Sequence, residues 1–513
     1  MMVQGNPGQK QRVDGRLREG PAPALIQSAN RLEVSYAPEL YAGLHLADMA
    51  HTIVLMEGEI LPSASGRRLL NVLLEVEAIP LEQFPLDPAR GDLYMNREHY
   101  IRQIDPEVGG WLRAGRARRE ATNVAYTLAV RRRLLALFAE VSGLVETIIA
   151  RAQEHHNTLV CDYTYLQQAQ PTTLAHYLLG FVYPLQRDLE RLQACFERVN
   201  RCPAGIGSVN GSRLPIDRQR LAELLGFDGP LHHTRDAMWP ADLPIETAAA
   251  AVTLVVNLDR LAEDLQVWAS QEFGLVELAD AYTRTSVIMP QKKNPYSLAY
   301  VRGLASMAIG CLTAITGTQR TLTGQPDSRI FVYGEIPRLL DRAREAVALM
   351  SGVMDTLTFR VESMADGLGL GYPQATDLAE MIMLSAGLPY HSAHQVVGKL
   401  IATAIRRGLR ADEITVELID EAGQETVGRG LNLSPDLLRQ ALDPAAIVAT
   451  RTGLGGAASE PVRLMIIETG GWLAQAQKWC SEAEQEASAA EAALVDLAGT
   501  LAAKGLPVGA IKE

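Results

Sequence analysis

The sequence predicts an all-α protein built around a bundle of long helices. Aromatic residues make up only 5% of its 513 residues, while alanine and leucine are abundant, a composition that favours helix–helix packing over a β-sandwich. Apolar residues recur at helical spacing through five long segments: 121–154, 172–199, 245–273, 296–320 and 335–360. A helix over the third segment would be about 40 Å long, too long for one compact monomer to cover. We therefore expect neighbouring subunits to bury part of the bundle.

Breaks in the helical pattern divide the chain into four predicted parts. Residues 1–24 are interpreted as a flexible tail, and residues 25–117 as an N-terminal helical domain interrupted by turns at "LPSASG" and "FPLDPARGD". Residues 118–370 are predicted to form the central helical-bundle domain, and residues 371–513 a C-terminal helical domain. The prediction is therefore a three-domain fold that follows a flexible tail. At the far end, an Ala- and Glu-rich stretch predicts a last helix that is partly free of the rest.

Composition excludes several classes of protein. The net charge of −12 argues against a nucleic-acid partner. Five scattered cysteines without a C-x-x-C pair are typical of reduced thiols in a cytoplasmic protein. The first twenty residues hold no apolar core of a secretory signal. The nearly uncharged run 303–317 falls short of the roughly 18 residues of a membrane helix, so we expect a tightly packed buried helix and no membrane partner.

Cofactor motifs are missing as well. The ten histidines show no H-E-x-x-H pattern, and no P-loop or dinucleotide-binding glycine motif occurs. His391 and His394 are spaced to share a helix face but lack an obvious third ligand. The sequence therefore predicts neither a metal nor a nucleotide cofactor.

The segment "TSVIMPQKKNPYSLAYVRG", residues 285–303, places a hydroxyl, positive charges and an amide ahead of an apolar helix. We interpret it as a mobile flap that closes over an anion. Lys292 and Asn294 can hold a carboxylate, one by charge and the other by a directional N–H. Positive charge nearby would favour loss of the proton from Ser286, which makes this serine a candidate base. Taken alone, the segment is also compatible with a basic surface loop.

Two further stretches carry candidate binding groups. Four arginines crowd into "RAGRARR": Arg113, Arg116, Arg118 and Arg119. Guanidinium groups suit carboxylate or phosphate recognition, and positive charge at the start of a helix opposes the helix dipole. "YTYLQQAQPTTLAH", residues 163–176, sets Thr164 and Gln167 ahead of a proline that begins a helix. A solvated basic turn and a polar capping loop are the structural alternatives.

Together these motifs resemble one family. "SVIMPQKKNP" resembles the G-S-S-x-M-P-x-K-x-N signature of the aspartase/fumarase superfamily, and its Q-K-K-N-P form resembles the argininosuccinate lyase branch. "DLYMNREH", "LRAGRARREA" and "YTYLQQAQPTT" are similar to segments of that branch in the same order. "TDLAEMI" and "LDPAAIVATRTGLGGAASEPVR" match its C-terminal region. The likeness extends over roughly residues 25 to 475.

The resemblance implies a fold and a reaction. Members are homotetramers around a central bundle of long helices, and each active site is assembled from three subunits. They cleave a C–N or C–O bond β to a carboxylate and release fumarate without a metal or organic cofactor. By position, Ser286 would remove the Cβ proton to give an aci-carboxylate. The groups implied to hold the dicarboxylate half are Arg118, Thr164, Lys292 and Asn294, with Gln167 close by.

Departures from the branch fall on the amine half of the substrate. The branch has Thr-His where this chain has Thr164 and Tyr165, so the histidine linked to leaving-group protonation is absent. "DSRIFVYGE", residues 327–335, replaces the stretch that handles arginine. A guanidine leaving group needs a proton donor, whereas an alkylammonium substrate already carries its proton. Tyr165, with a phenol pKa near 10, would orient rather than protonate.

These departures point to a different leaving amine. Arg119 and Arg329 would suit an amine that bears another carboxylate, and Tyr333 lies in the rewritten stretch. The pattern resembles the aminopolycarboxylate lyases of the branch, which include ethylenediamine-N,N'-disuccinate (EDDS) lyases, so EDDS is the expected substrate. Two alternatives stay open: argininosuccinate lyase, and a crystallin-like structural or binding protein without turnover.

Overall fold

The structure, a computed structural model, describes residues 16, 17, 19–325 and 327–504. About 71% of the chain is helical, and the prediction of an all-α fold is confirmed. The first helix begins at Pro23. Most of the predicted tail, residues 1–15 and 18, lies outside the described residues.

Twenty α-helices follow one another along the described chain. The first six are α1 (Pro23–Leu25), α2 (Arg31–Val34), α3 (Ala37–Glu57), α4 (Ser63–Glu77), α5 (Leu93–Ile104) and α6 (Pro106–Gly109). The middle of the chain forms α7 (Arg118–Glu154), α8 (Leu174–Val199), α9 (Arg218–Leu224), α10 (Thr234–Met238), α11 (Asp242–Trp268), α12 (Tyr296–Gln319) and α13 (Asp327–Thr356). The remainder are α14 (Val361–Gly367), α15 (Ala375–Ala386), α16 (Tyr390–Arg407), α17 (Val416–Val427), α18 (Pro435–Leu442), α19 (Pro444–Ala449) and α20 (Ser459–Lys504).

The five long helices predicted from apolar periodicity are α7, α8, α11, α12 and α13, and all five form. They pack side by side: α7 lies against α8 and α13, and α11 lies against α8, α12 and α13. Leu254, Leu258, Leu261 and Leu265 of α11 are each at most 1% exposed. Their spacing of three and four residues places them on one face of the helix. The bundle is therefore held by the periodic stripes on which the prediction rested.

Helix α12 differs from its prediction. Its run 303–317 was expected to be buried, yet only 28% of its most apolar window is buried in the single chain. Met307 is 61% exposed and Ile309 50% exposed. Among the described residues, this helix alone is long and apolar enough to span a membrane by length and composition. The predicted burial within one chain is wrong, because one face of α12 has no cover from its own subunit.

Two large hydrophobic cores organise the described residues, and a third, small cluster joins Ile206, Ala237 and Met238. The larger core joins the bundle with α3 and α4 and includes Leu494 and Leu501 of α20. The smaller core is formed by α15 to α18, with Val396 and Leu400 at its centre. Helix α20 packs against α4 and α7, so the prediction that its end is partly free is wrong. The predicted domain boundaries remain predictions.

The described residues contain six short strands in three antiparallel pairs, and two of these pairs position candidate site residues. The strands are β1 (Leu159–Thr164), β2 (Gln167–Thr173), β3 (Val276–Glu277), β4 (Arg284–Thr285), β5 (Lys293–Asn294) and β6 (Thr358–Phe359). β1 pairs with β2, β3 with β6, and β4 with β5. The first pair leads directly into α8, and the last pair closes directly before α12.

Candidate active site

The predicted flap is a tight hairpin whose tip faces outward. Arg284 pairs with Asn294 across β4 and β5, and the Asn294 amide donates to the Arg284 carbonyl at 2.9 Å. At the tip, the backbone N–H of Met289 donates to the Ser286 hydroxyl oxygen at 3.2 Å. Val287 is fully exposed and Ile288 is 84% exposed. The base of the flap is thus ordered by hydrogen bonds, while its apolar tip has no cover within the chain.

The two flap lysines have different surroundings. The Lys293 ammonium lies 2.8 Å from the Asp280 carboxylate and 3.3 Å from the Glu277 carboxylate, and its hydrogen bond to Asp280 raises the Lys293 pKa. Glu277 also pairs with Arg360 at 2.8 Å. Lys292 is exposed and makes no ion pair within the described part of the chain. Only Lys292 therefore keeps its charge available for an anionic ligand.

The predicted polar loop is the β1–β2 hairpin, and its turn is strained. Thr164 pairs with Gln167 across the turn. The two turn residues, Tyr165 and Leu166, have φ angles of 54° and 56°, a left-handed conformation that is uncommon for side chains of this size. Tyr165 is 99% exposed. Such strain clusters at active sites and ligand clamps, which is consistent with the predicted binding role of this hairpin.

The arginine-rich start of α7 is anchored by a buried ion cluster. The Arg116 guanidinium donates to one oxygen of the Asp48 carboxylate at 2.6 Å, and Arg97 donates to the other oxygen at 3.0 Å. All three side chains are nearly inaccessible. One turn later, the Glu120 carboxylate accepts the backbone N–H of Gly205 at 2.7 Å, and burial raises the pKa of Glu120 to about 7. The helix start is therefore a rigid support for the next arginine.

Arg118, the first residue of α7, remains partly accessible. Its side chain is 40% exposed and lies 3.5 Å from the Asp92 carboxylate. Its guanidinium also contacts the Met95 sulfur at 3.0 Å. The nearby ion pair is long and partly open to solvent, so a substrate carboxylate can compete for Arg118.

Arg119 and Tyr333 line the same small cavity beside Arg118, which has a volume of about 10 Å³. Arg119 forms an ion pair with Glu33 at 2.7 Å and lies over the Tyr333 ring at 6.0 Å. Asp92 lines the same pocket. Sequence reasoning missed Glu33 and Asp92; Asp92 begins the quoted "DLYMNREH" segment, whereas no motif marks Glu33.

Arg329 lies away from this pocket opening. It is 1% exposed, and its guanidinium donates to the backbone carbonyls of Met238 at 3.3 Å and Pro240 at 2.7 Å. Burial lowers its pKa. These contacts show that the Arg329 guanidinium stabilises the backbone around Met238 and Pro240. Its predicted role in substrate binding stays a prediction.

Within one chain, the candidate residues form three separate groups. These groups are the flap with Ser286, Lys292 and Asn294, the hairpin with Thr164, Tyr165 and Gln167, and the α7 start with Arg118, Arg119 and Tyr333. No hydrogen bond or ion pair among residues 19–325 and 327–504 links any two of the groups. The described residues contain no cluster of three metal-binding side chains.

Known proteins are similar to this chain over most of its length. A lyase family model matches residues 60–310, and the argininosuccinate lyase C-terminal family matches residues 372–449. The argininosuccinate lyase of Methanosarcina acetivorans is 33% identical over 454 residues, 88% of this chain and 90% of the relative. That of Methanoculleus marisnigri is 34% identical over 449 residues, 87% and 90% of the two chains.

Solved structures agree. EDDS lyase in complex with formate superimposes with a TM-score of 0.86 at 29% identity, over 96% of this chain and 100% of that chain. An EDDS lyase variant with bound fumarate also gives 0.86, at 28% identity over 95% and 98%. A class II fumarase from Schistosoma mansoni, at 0.70 and 13% identity over 86% and 98%, shares the fold alone. The chain therefore belongs to the argininosuccinate lyase branch of the aspartase/fumarase superfamily and is a fumarate-releasing carbon–nitrogen lyase.

Proposed function

We propose that this enzyme reversibly eliminates fumarate from an N-substituted aspartate, with Ser286 as the general base. Ser286 takes the proton from the carbon next to one carboxylate, and the electron pair is held as an aci-carboxylate. The C–N bond then breaks, giving fumarate and a free amine. Lys292, Asn294 and Arg118 stabilise the developing charge, since fixed donors act most strongly where charge appears.

The observation that carries this proposal is the different pairing of the two flap lysines. Lys293 forms ion pairs with Asp280 and Glu277, whereas Lys292, in the same flap as Ser286, forms no ion pair among the described residues. A positive charge at this place favours the ionised serine and also attracts the substrate carboxylate. A basic loop that served only as protein surface would not require one lysine to form ion pairs and its neighbour to form none.

We further propose that the active site forms between copies of the chain in a homotetramer. Thr164, Tyr165 and Gln167 would reach a neighbouring subunit through the strained hairpin, together with the flap and the α7 start of other subunits. Support comes from the uncovered face of α12. Along it lie Gly303 and Gly310, where an added Cβ would meet no atom within 4 Å. Small residues allow two helices to approach closely, so a second copy is the expected cover.

Gly310→Leu is expected to break the assembly without unfolding the chain. Leucine has a higher helix propensity than glycine by roughly 1 kcal/mol, and within the subunit no atom lies within 4 Å of an added Cβ. At the proposed contact between subunits, the added bulk should separate the helices. We expect light scattering to show smaller oligomers, circular dichroism to stay helical, and fumarate release to be lost.

The matched control is Gly398→Leu, on the exposed side of α16, where an added Cβ also meets no atom. This variant should remain tetrameric and active. A Gly310→Leu protein that stays tetrameric and fully active would contradict the proposed interface.

For the leaving amine, we propose an aminopolycarboxylate such as EDDS. The support is Tyr165 in place of the branch's histidine, because an alkylammonium substrate needs no proton donor to leave as an amine. Arg119, Tyr333 and Arg329 were proposed for the amine half. Of these, Arg119 and Tyr333 lie in the pocket beside Arg118, whereas Arg329 binds backbone carbonyls.

Argininosuccinate lyase is the second candidate, favoured by the names of relatives that are 33–34% identical. Ultraviolet absorbance of released fumarate separates the two candidates when EDDS, argininosuccinate and aspartate are offered in turn. We expect turnover of EDDS to exceed that of argininosuccinate. Turnover of argininosuccinate alone would reject the proposed substrate, and no turnover of any N-substituted aspartate would reject the proposed reaction.

A further inference from the structure

The start of α7 is attached to one tight turn on both sides of Arg118. Before Arg118, the backbone N–H of Ala117 donates to the Gly207 carbonyl at 2.8 Å. After it, the Glu120 carboxylate accepts the backbone N–H of Gly205 at 2.7 Å. Ala117, at the N-cap position, makes no side-chain cap hydrogen bond. The orientation of Arg118 therefore depends on these two attachments.

Residues 205–207, the glycine turn, form a rigid platform for the helix start. Gly205 and Gly207 have φ angles of 74° and 69°, in the left-handed region that other residues adopt at a cost. A Cβ added to Gly207 would lie 2.4 Å from the Gly211 carbonyl oxygen. On the other side of the turn, Arg218 of α9 donates to the preceding backbone carbonyl at 3.1 Å. The glycine turn is thus fixed independently of α7.

Glu120 is buried where its charge is incompletely offset. It is 1% exposed, and its Oε2 atom has no hydrogen-bond partner among the described residues. Burial raises the pKa of Glu120 to about 7, opposed by Arg116 and by the backbone N–H groups of the glycine turn. Arg116 itself pairs with Asp48 at 2.6 Å. Protonation of Glu120 weakens the bond from Gly205, because a hydrogen bond to an ionised acceptor is about twice as strong as a neutral one.

The groups that face Glu120 from neighbouring elements keep their charge states near neutral pH. Burial lowers the pKa of His51 in α3 well below its ordinary value of 6.5, so this imidazole is neutral. Burial raises the pKa of the Cys202 thiol to about 12, so it is neutral as well. Arg116 and Arg218 stay cations, since guanidinium groups keep their proton in proteins. A change of charge in this cluster near pH 7 is therefore a change at Glu120.

We infer that Glu120 is a positioning residue, whose ionised carboxylate locks the start of α7 to the glycine turn and thereby aims Arg118 at the substrate carboxylate. This rests on the proposed function, because Arg118 must bind that carboxylate. Arg118 lies two residues before Glu120 in the same helical turn, so a looser attachment displaces the guanidinium. Small misplacements of a binding group are costly. The enzyme consequently binds a dicarboxylate more weakly as the pH falls through 7.

Folding stability depends on Glu120 in the opposite direction. The carboxyl pKa is about 7 in the folded chain, above the ordinary 4.5, so the folded state holds the proton more tightly than the unfolded state. The contribution of Glu120 to the free energy of unfolding therefore falls as the pH rises from 4.5 to 7. A Glu120 that served only the fold would not tighten ligand binding over the upper part of this range.

Fumarate binding to the wild-type enzyme, measured by calorimetry between pH 6 and pH 8.5, tests the inference. Free carboxylates stay ionised and lysine and arginine side chains stay charged throughout this range. We expect the Kd at pH 6 to exceed the Kd at pH 8 by about threefold or more, with a midpoint near pH 7. A Kd that is constant with pH would overturn the inference and leave the proposed function intact. No fumarate binding at any pH would overturn both.

Glu120→Gln separates positioning from other sources of pH dependence. Glutamine keeps an oxygen that can accept the Gly205 N–H but carries no charge. Its Kd should be constant with pH and no smaller than the wild-type value at pH 6. Circular dichroism at both pH values checks that the variant is folded, and the wild-type profile remains decisive if it is not. A folded Glu120→Gln protein with the wild-type pH profile would overturn the assignment of Glu120.

Asp188→Asn is the matched control. Asp188 of α8 is also a carboxylate that is 1% exposed, with a pKa raised by burial, but it binds Asn257 at 2.7 Å rather than the glycine turn. This variant should keep the wild-type dependence of Kd on pH. Loss of that dependence in both variants would assign it to a general effect of buried charge and overturn the specific role of Glu120.

Discussion

Ser286→Ala is expected to lower kcat for fumarate release by about 100- to 10,000-fold, the usual contribution of a positioned general base. The hydroxyl that removes the proton is deleted, while the groups that hold the substrate remain. The KM should therefore change little. Ultraviolet absorbance of fumarate during steady-state turnover measures both constants.

Ser481→Ala is the matched control, because Ser481 is an exposed serine on α20, distant in sequence from every candidate site residue. It should retain full activity. If Ser286→Ala were as active as the control, Ser286 would not be the base, and another group would have to remove the proton.

Lys292→Met is expected to reduce kcat/KM by roughly 30-fold or more. Removing one partner of a desolvated charge pair costs about 2–5 kcal/mol, and each 1.36 kcal/mol is a factor of about ten in rate. The effect should appear in kcat as well as KM, because the charge of the aci-carboxylate exceeds that of the substrate. Competitive inhibition by fumarate should weaken in parallel.

Lys293→Met provides a control within the same flap. Lys293 is held by Asp280 and Glu277, so its loss should loosen the base of the flap and cost severalfold, much less than the loss of Lys292. If the two variants were equally impaired, their different pairing would have no functional meaning. If Lys293→Met were the worse variant, the assignment of Lys292 would be wrong.

Periodicity predicted the helices well because helix packing within the bundle is decided by local apolar spacing. Helix α11 was expected over residues 245–273 and spans Asp242–Trp268. The burial of α12 could not be predicted in the same way. Composition shows that the apolar surface of a helix must be buried. It does not show whether the same chain or a second chain packs against that surface.

The sequence predicted the site residues that belong to recognisable motifs. It did not predict the side chains that pair with them in the fold. The flap and the strained hairpin follow motifs that the sequence displays. By contrast, Glu33 and Arg119 are 86 residues apart in the chain, and only the fold brings them together. Arg329 looked like a binding residue, yet the turn before α11 uses its guanidinium to satisfy two backbone carbonyls. Charge alone does not distinguish a ligand-binding arginine from a structural one.

We propose that Ser286 and Arg118 of one active site come from different subunits, and mixing two inactive variants tests this directly. Ser286→Ala and Arg118→Leu chains are co-expressed, and tetramers carrying both tags are isolated. In random mixed tetramers, about one quarter of the sites would combine an intact Ser286 from one chain with an intact Arg118 from another. We predict that fumarate release returns to about that fraction of the wild-type rate. Mixed tetramers no more active than either parent variant would contradict the account.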